Sequence, residues 1–408
     1  MPSTLKKNYA TSIGFVMALL LIIGLVVSRA LLSIASGSLI LVLILNWKQC
    51  LYKKEIAVAF SLIILPILIS GLWSNNVEAW WRSVEVKLNL LTIILGLLAA
   101  NFSHKQIKQL IWFLVIVIAF ASLYSVYQYV QHKEEILKNY LVAKVMPTLM
   151  DDDHIRFSWL VVLSIVLLIW QLSISSIKKE QIVGGLIVFF LIVYLHFLAA
   201  KTGLLCLYAS VALYIFFLLF NKQNRKWAFV LLLGIIAIGF VAYTKIPSLQ
   251  NRVQYVLYDF GNYSKGVFTE GSSDGARVLS MQAGWAITQQ NKMKGVGFGD
   301  IQTEVNNWHI INHATTKEYE RFLPTNQWLI YGAGSGWLGI LLFSVGLFLL
   351  FRLITIPSIF STIIIVLLLI PLITDDSFEG QHGVSIVAVV FALSFYIIKL
   401  QKNKSLPS

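Results

Sequence analysis

The chain has 408 residues, of which 58% are hydrophobic and only 12% charged, with a formal net charge of +13. A soluble domain carries about 25% charged residues, so this composition excludes a water-soluble globular protein and indicates a polytopic membrane protein. The positive excess is spread over short loops rather than gathered on one face, which excludes a nucleic-acid footprint.

Apolar runs of about 17–20 residues recur along the chain, each long enough to cross the hydrocarbon core. They lie at 12–28, 30–46, 56–73, 86–101, 108–130, 156–174, 182–199, 203–220, 227–244, 336–353, 357–373 and 382–399. Backbone groups in lipid must bond within their own segment, and the runs do not alternate as barrel strands do, so the fold is predicted to be all-α. The expectation is about twelve transmembrane helices, with one large extracytoplasmic loop between helices 9 and 10. The first run follows Lys6 and Lys7 and has no small-residue cleavage site after it, so it reads as a retained helix.

Alternate loops differ in charge. One set, with the two tails, holds half of the 32 Lys and Arg, among them Lys48, Lys53, Lys54, Lys105, Lys108, Lys178, Lys179, Lys222, Arg225, Lys226 and Arg352. By the positive-inside rule both termini are cytoplasmic and the 245–327 loop faces outward. Three parts follow: helices 1–9 over 1–244, a polar loop domain over 245–327, and helices 10–12 over 328–408. Cys50 and Cys206 fall in a cytoplasmic loop and inside a helix, with no spacing for a pair or a metal. No P-loop or nucleotide fingerprint is present, and no cofactor or metal is expected.

The outward segments hold the residues able to do aqueous chemistry. Before the large loop come Asp151, Asp152 and Asp153, which lack the spacing of a calcium site and read as a solvated acidic turn. His154 and Arg156 follow, and Lys201-Thr202-Gly203 forms a tight corner. Arg156 and Lys201 sit at helix ends, where snorkelling explains a cation without a ligand. Within the loop, residues 251–270 mix aromatic and polar residues as a surface-lying amphipathic helix does. Ser272, Ser273, Asp274 and Gly275 form a turn and N-cap, and Ala276 to Gln289 has helical spacing with Arg277 in its first turn. A cation is not favoured there by the helix dipole, so Arg277 is either a solvated side chain or one placed to meet an anion. Gly295-Val296-Gly297-Phe298-Gly299 either turns sharply or approaches a ligand closely. The loop closes on Thr325-Asn326-Gln327-Trp328 and then Gly332, Gly334, Gly336 and Gly339, which suit close helix packing. The last outward loop carries Glu379 and His382 beside a helix start, where an ionisable group is a functional candidate.

In order and spacing, these motifs resemble the O-antigen ligase and O-antigen polymerase family of bacterial inner-membrane glycan-transfer proteins. The resemblance is carried by Lys201-Thr202-Gly203, Arg277 with Trp285, the Gly295–Gly299 run, and Asn326-Gln327-Trp328-Leu329 before the Gly336–Gly339 turn. It implies a glycan donor on a polyprenyl pyrophosphate, a periplasmic reaction, and an acceptor hydroxyl on lipid A-core, a growing glycan, or a protein Ser or Thr. Membrane lipids are the remaining partners. Arg277, Arg156 and Lys201 are the candidate pyrophosphate ligands, because a cation is needed where that group departs. Members usually have His before the Asn of the last motif, where this chain has Thr325. Candidate bases are therefore His313, His309 and His154, with Asn326, Thr325, Glu379 and His382 as further substrate contacts. Two other readings remain open: a secondary transporter, against which the unmatched halves speak, and a non-catalytic assembly partner.

Overall fold

The computed structural model describes residues 3–50, 52–142, 144–150, 153–220, 222–265 and 273–405. Among these residues no strand occurs. Sixteen α-helices follow in order: α1 Ser3–Val27, α2 Arg29–Asn46, α3 Lys53–Ser70, α4 Val77–Ala100, α5 His104–Gln131, α6 Lys133–Asn139, α7 His154–Ser173, α8 Lys178–Leu198, α9 Lys201–Phe220, α10 Arg225–Lys245, α11 Pro247–Ser264, α12 Ser273–Gln290, α13 Ile301–Asn312, α14 Gln327–Arg352, α15 Ile359–Thr374 and α16 Gln381–Ser405.

Ten of these are long and apolar enough to span a membrane: α1, α2, α4, α5, α7, α8, α9, α10, α14 and α16. The sequence expectation of about twelve differs at two places. Helix α3 opens on Lys53, Lys54 and Glu55. Helix α15 has 16 residues, about 24 Å at ~1.5 Å per residue, short of a core of ~30 Å. Both nonetheless run the length of the bundle. The Tyr52 ring before α3 meets Phe395 of α16, while Ser70 at its far end bonds the Phe298 amide. Helix α15 begins beside Trp170 and ends at the Arg277 guanidinium.

The contacts define two ends. At one, Asn46 bonds the Ala99 carbonyl, Phe102 packs on Tyr396, and Lys108 pairs with Glu180 at 2.6 Å. At the other meet Ser33, the 70–76 turn, Lys87, Arg156, Lys201, the 245–327 segment and the 374–382 turn. These are the loops that the charge alternation assigns to a common side.

The 245–327 segment is not an extended loop. It folds as α11, α12 and α13, so both helices expected there form. Helix α12 begins at Ser273, so Ser273, Asp274 and Gly275 of the expected turn lie inside it, while Ser272 and residues 266–270 of the expected amphipathic helix lie outside the described residues, as do Asp151 and Asp152. Helix α11 sorts polar and apolar residues onto different faces; it turns Ser248, Arg252, Tyr255 and Asp259 into the protein and leaves Leu257, Tyr258 and Phe260 exposed.

The glycine run is explained by a break in α14. Ser335 and Gly336 leave the helical conformation, Gly336 with φ +69°. The break strands carbonyls that would otherwise stay unbonded in the bundle interior. The Val296 and Gly297 amides donate to the carbonyls of Ala333 (2.8 Å) and Gly334 (3.0 Å), and the Trp337 amide donates to the Lys292 carbonyl (3.0 Å). Gly295 and Gly297 have φ +67° and +95°, and a Cβ on either would overlap its neighbours. The same run docks on the 70–76 turn: the Gly299 amide donates to Ser74 Oγ (3.3 Å), and the Asp300 carboxylate accepts from the Asn75 (2.7 Å) and Asn76 (3.0 Å) amides. The glycines therefore splice a broken helix rather than cradle a ligand.

Gly295→Ala is expected to cost at least about 1 kcal/mol from its left-handed backbone alone, with more from overlap with the Ser335 amide. Gly234→Ala, where nothing lies within 4 Å of the added methyl, should leave the protein unharmed. Unfolding midpoints of the detergent-purified variants check both.

Candidate active site

Charges at the polar end of the bundle are arranged by pairing. Lys87, with no exposed surface, reaches Glu379 at 2.5 Å. Gln327 donates to the other oxygen of Glu379 at 2.7 Å and accepts from the Phe378 amide at 3.0 Å. A buried charge without such partners costs several kcal/mol, roughly 3–5 if one partner is removed. Glu379 is thus a structural counter-ion tying α4 and α14 to the 375–380 turn.

Arg156 is met by three carboxylates, and only its Nε lacks a hydrogen-bond partner among the described residues. Its guanidinium meets Asp153 at 2.7 Å, Asp376 at 3.0 Å and Asp375 at 3.6 Å, and Asp153 also caps α7 through the Arg156 amide. Gly380 and Gly383 bring the turn's backbone against the same guanidinium. His382 lies buried in the first turn of α16, next to Gly383. Burial, reinforced by neighbouring Asp375, pushes the Asp376 carboxyl up to about 6 even though part of its side chain is open. The Arg156 charge opposes that rise.

Arg277 is only partly occupied. One of its nitrogens donates to the Thr374 carbonyl at 3.1 Å and meets Asp375 at 3.4 Å, and 28% of the side chain is exposed. Lys201 pairs with Asp274 at the head of α12. Gly203 lets α9 cross α7 at Ser158, which sets the height of Lys201.

The residue that sequence reasoning missed is Arg252 on α11. It is 6% exposed, and its Nε and Nη1 have no hydrogen-bond partner among the described residues. Its guanidinium lies 5.4 Å from the Tyr255 ring centre, and Lys201 lies 5.8 Å from the same ring. Burial lowers its pKa, more than the nearby Asp274 raises it. The Tyr255 hydroxyl and Asp259 in turn bind the Ser273 (2.9 Å) and Asp274 (2.8 Å) amides, fixing the start of α12. Arg252 escaped notice because an arginine on an amphipathic stretch reads as part of the polar face.

Arg252, Arg277 and Lys201 line one cleft of about 320 Å³, with His154, Ser273 and Thr374. Leu205 extends its lining onto the outer surface of α9, where that side chain is exposed. The lining consists of residues near helix ends, with three cations and the Asp274 carboxylate paired to Lys201 beside an apolar flank. Such a site accepts a strongly anionic group attached to an apolar chain.

The other expected site residues lie elsewhere. Thr325 is buried, its hydroxyl shared with Ser280 (3.1 Å) and donating to the Arg277 carbonyl (3.3 Å), so it braces Arg277 from behind. Asn326 caps α14 through the Trp328 (2.9 Å) and Leu329 (3.2 Å) amides and donates to the Ile373 carbonyl (2.9 Å). His309 on α13 meets the Trp308 ring edge-on, His313 just past the helix end is tilted against the same ring, and neither lines the cleft. His309 is wholly buried, and neither ring nitrogen is hydrogen-bonded among the described residues. Of the expected bases, His154 is the one placed in the cleft with the cations.

Fold and site together define a multi-pass membrane protein with a cationic cleft at one end of its bundle. The family model described as O-antigen ligase matches residues 186–344, a stretch that contains Lys201, Arg252, Arg277 and Thr325. That match places an O-antigen ligase domain in this stretch and supports ligase- or polymerase-type glycan function in general. No curated protein matches the chain.

Burial, with help from His313 and Arg321, holds His309 down to about 4 from its ordinary 6.5. The unfolded chain therefore binds a proton between these values that the folded chain refuses. Stability should fall as pH drops from about 6.5 toward 4 and be flat above that window. In His309→Leu, unfolding midpoints measured across the same range should lose most of this slope.

Proposed function

We propose that this protein transfers a glycan from a polyprenyl pyrophosphate carrier to an acceptor hydroxyl at the periplasmic face of the bacterial inner membrane. In this reading α3 and α15 also cross, giving twelve spans, with both termini cytoplasmic and the 245–327 segment periplasmic. The observation that carries the reading is Arg252, a buried guanidinium with two nitrogens unbonded among the described residues, in one cleft with Arg277 and Lys201. A buried cation in that condition is costly unless an anion completes it.

The pyrophosphate lies against Arg252 and Arg277, with Lys201 beside them, and the polyprenyl chain leaves along α9 past Leu205. The acceptor oxygen attacks the anomeric carbon, the bond from that carbon to the pyrophosphate oxygen breaks, and the electron pair departs on the carrier. The cations stabilise the charge that develops on the leaving group. His154 takes the acceptor proton. One displacement of this kind inverts the anomeric centre. The lipid A-core ligase reaction is the leading form, and polymerisation or protein O-glycosylation uses the same step with another hydroxyl.

Loss of a preorganised donor to a developing charge typically costs about 10²–10³ in rate. Arg252→Ala and Arg277→Ala should each fall by that order in a complemented deletion strain, read as surface polysaccharide on a gel. Arg352→Ala, at the other end of α14, should transfer normally. Retained transfer in both cleft variants at normal protein level would refute the assignment. Accumulated full-length carrier-linked glycan would mark a ligase, and shortened chains a polymerase.

A further inference from the structure

A second cavity adjoins the cleft. It measures about 690 Å³ and lies between α6, the 144–147 segment and the start of α7. His154 lines both spaces. The wall is a built structure rather than a loose loop. The Tyr140 hydroxyl donates to the Leu198 carbonyl (2.9 Å) and accepts from the Met146 amide (3.3 Å). Asn251 Nδ2 donates to the Leu137 carbonyl at 2.9 Å, and the next residue in α11 is Arg252 of the cleft. The α6 side of the cavity is thus anchored to the helix that presents the cleft's buried guanidinium.

The two linings differ in chemistry. The cleft gathers arginines. The cavity carries His132, Glu135, Asn139 and Lys144 beside the apolar Val145 and Met146, and no arginine among its described lining. Donors and acceptors of both kinds, set against apolar surface, suit a sugar, whose hydroxyls need both and whose C–H faces are apolar. The volume lies within the range of small-ligand sites of about 300–1,000 Å³.

We propose that this cavity is the acceptor subsite, holding the terminal sugar of the acceptor with its reacting hydroxyl at His154. The inference rests on the glycan-transfer reading above. The acceptor enters from the α6 side and the carrier from the α9 side, and they meet at one imidazole. The hydroxyl proton passes to His154 as the new glycosidic bond forms and the pyrophosphate departs with the electron pair. Two chambers sharing one base bring together two bulky, separately anchored reactants in attack geometry, which lowers the entropic part of the barrier.

The test uses the full chain in phosphatidylethanolamine–phosphatidylglycerol vesicles. Two probes extracted from a deletion strain are varied independently: its accumulated carrier-linked glycan and its unmodified acceptor lipid. Asn139→Trp fills the cavity, and Lys144→Ala removes an exposed donor with little risk to folding. Both should raise the acceptor KM by about tenfold or more while the donor KM stays within about twofold. An acceptor KM unchanged in both variants, or a rise in donor KM instead, overturns the subsite while wild-type turnover keeps the transfer reading intact. No product from wild type with both probes would instead overturn the transfer reading, and the subsite with it.

Discussion

A charge inside an apolar bundle must be answered by another charge or by hydrogen bonds, and the polar end of this protein is built around that demand. Lys87 has no exposed surface and depends on Glu379, which depends on Gln327. Arg156 draws three carboxylates from two segments more than 200 residues apart in sequence. These pairs hold the 374–382 turn against α4, α7 and α14. The cleft has its shape because the turn is fixed, since Thr374 and Asp375 also receive Arg277.

The cations form a graded series. Arg156 has both terminal nitrogens met by protein carboxylates and works as a clamp. Arg277 spends one nitrogen on the turn and keeps part of its fork open. Lys201 is met by a single carboxylate from α12. Arg252 has two buried nitrogens with no hydrogen-bond partner among the described residues. Affinity for an exogenous anion should follow this order from least to greatest answered demand, with Arg252 first. Sequence position does not reveal the order, because it depends on which carboxylates the fold delivers.

Much of the architecture was legible in the sequence because hydrophobic length and loop charge are local signals. The runs reappear as helices, and the loops grouped by charge meet at common ends. The helix at 276–289 and the amphipathic stretch before it were legible from spacing. What stayed hidden was partnership. Glu379 and His382 looked alike as helix-edge ionisable groups, yet Glu379 is taken by Lys87 across 292 residues. The Gly295–Gly299 run is equally compatible with a ligand loop and with a splice until the break at Ser335–Gly336 is seen. Thr325 reads as a missing base in the motif. In the fold it is a brace under Arg277, and the cleft's imidazole comes from His154, outside the segment that the family model matches.

The broken helix α14 also bears on how the protein is made. Its first half ends in carbonyls that only the 292–297 segment answers. That segment precedes α14 in the chain, and its docking site on the 70–76 turn precedes both. The amides that answer α14 are therefore synthesised before the helix itself. In the order of translation an early turn precedes the middle segment that docks on it, and that segment precedes the late helix it bonds. A circular permutation placing α14 ahead of that segment would leave the same contacts available in the finished fold but would remove the partner at the moment the helix enters lipid.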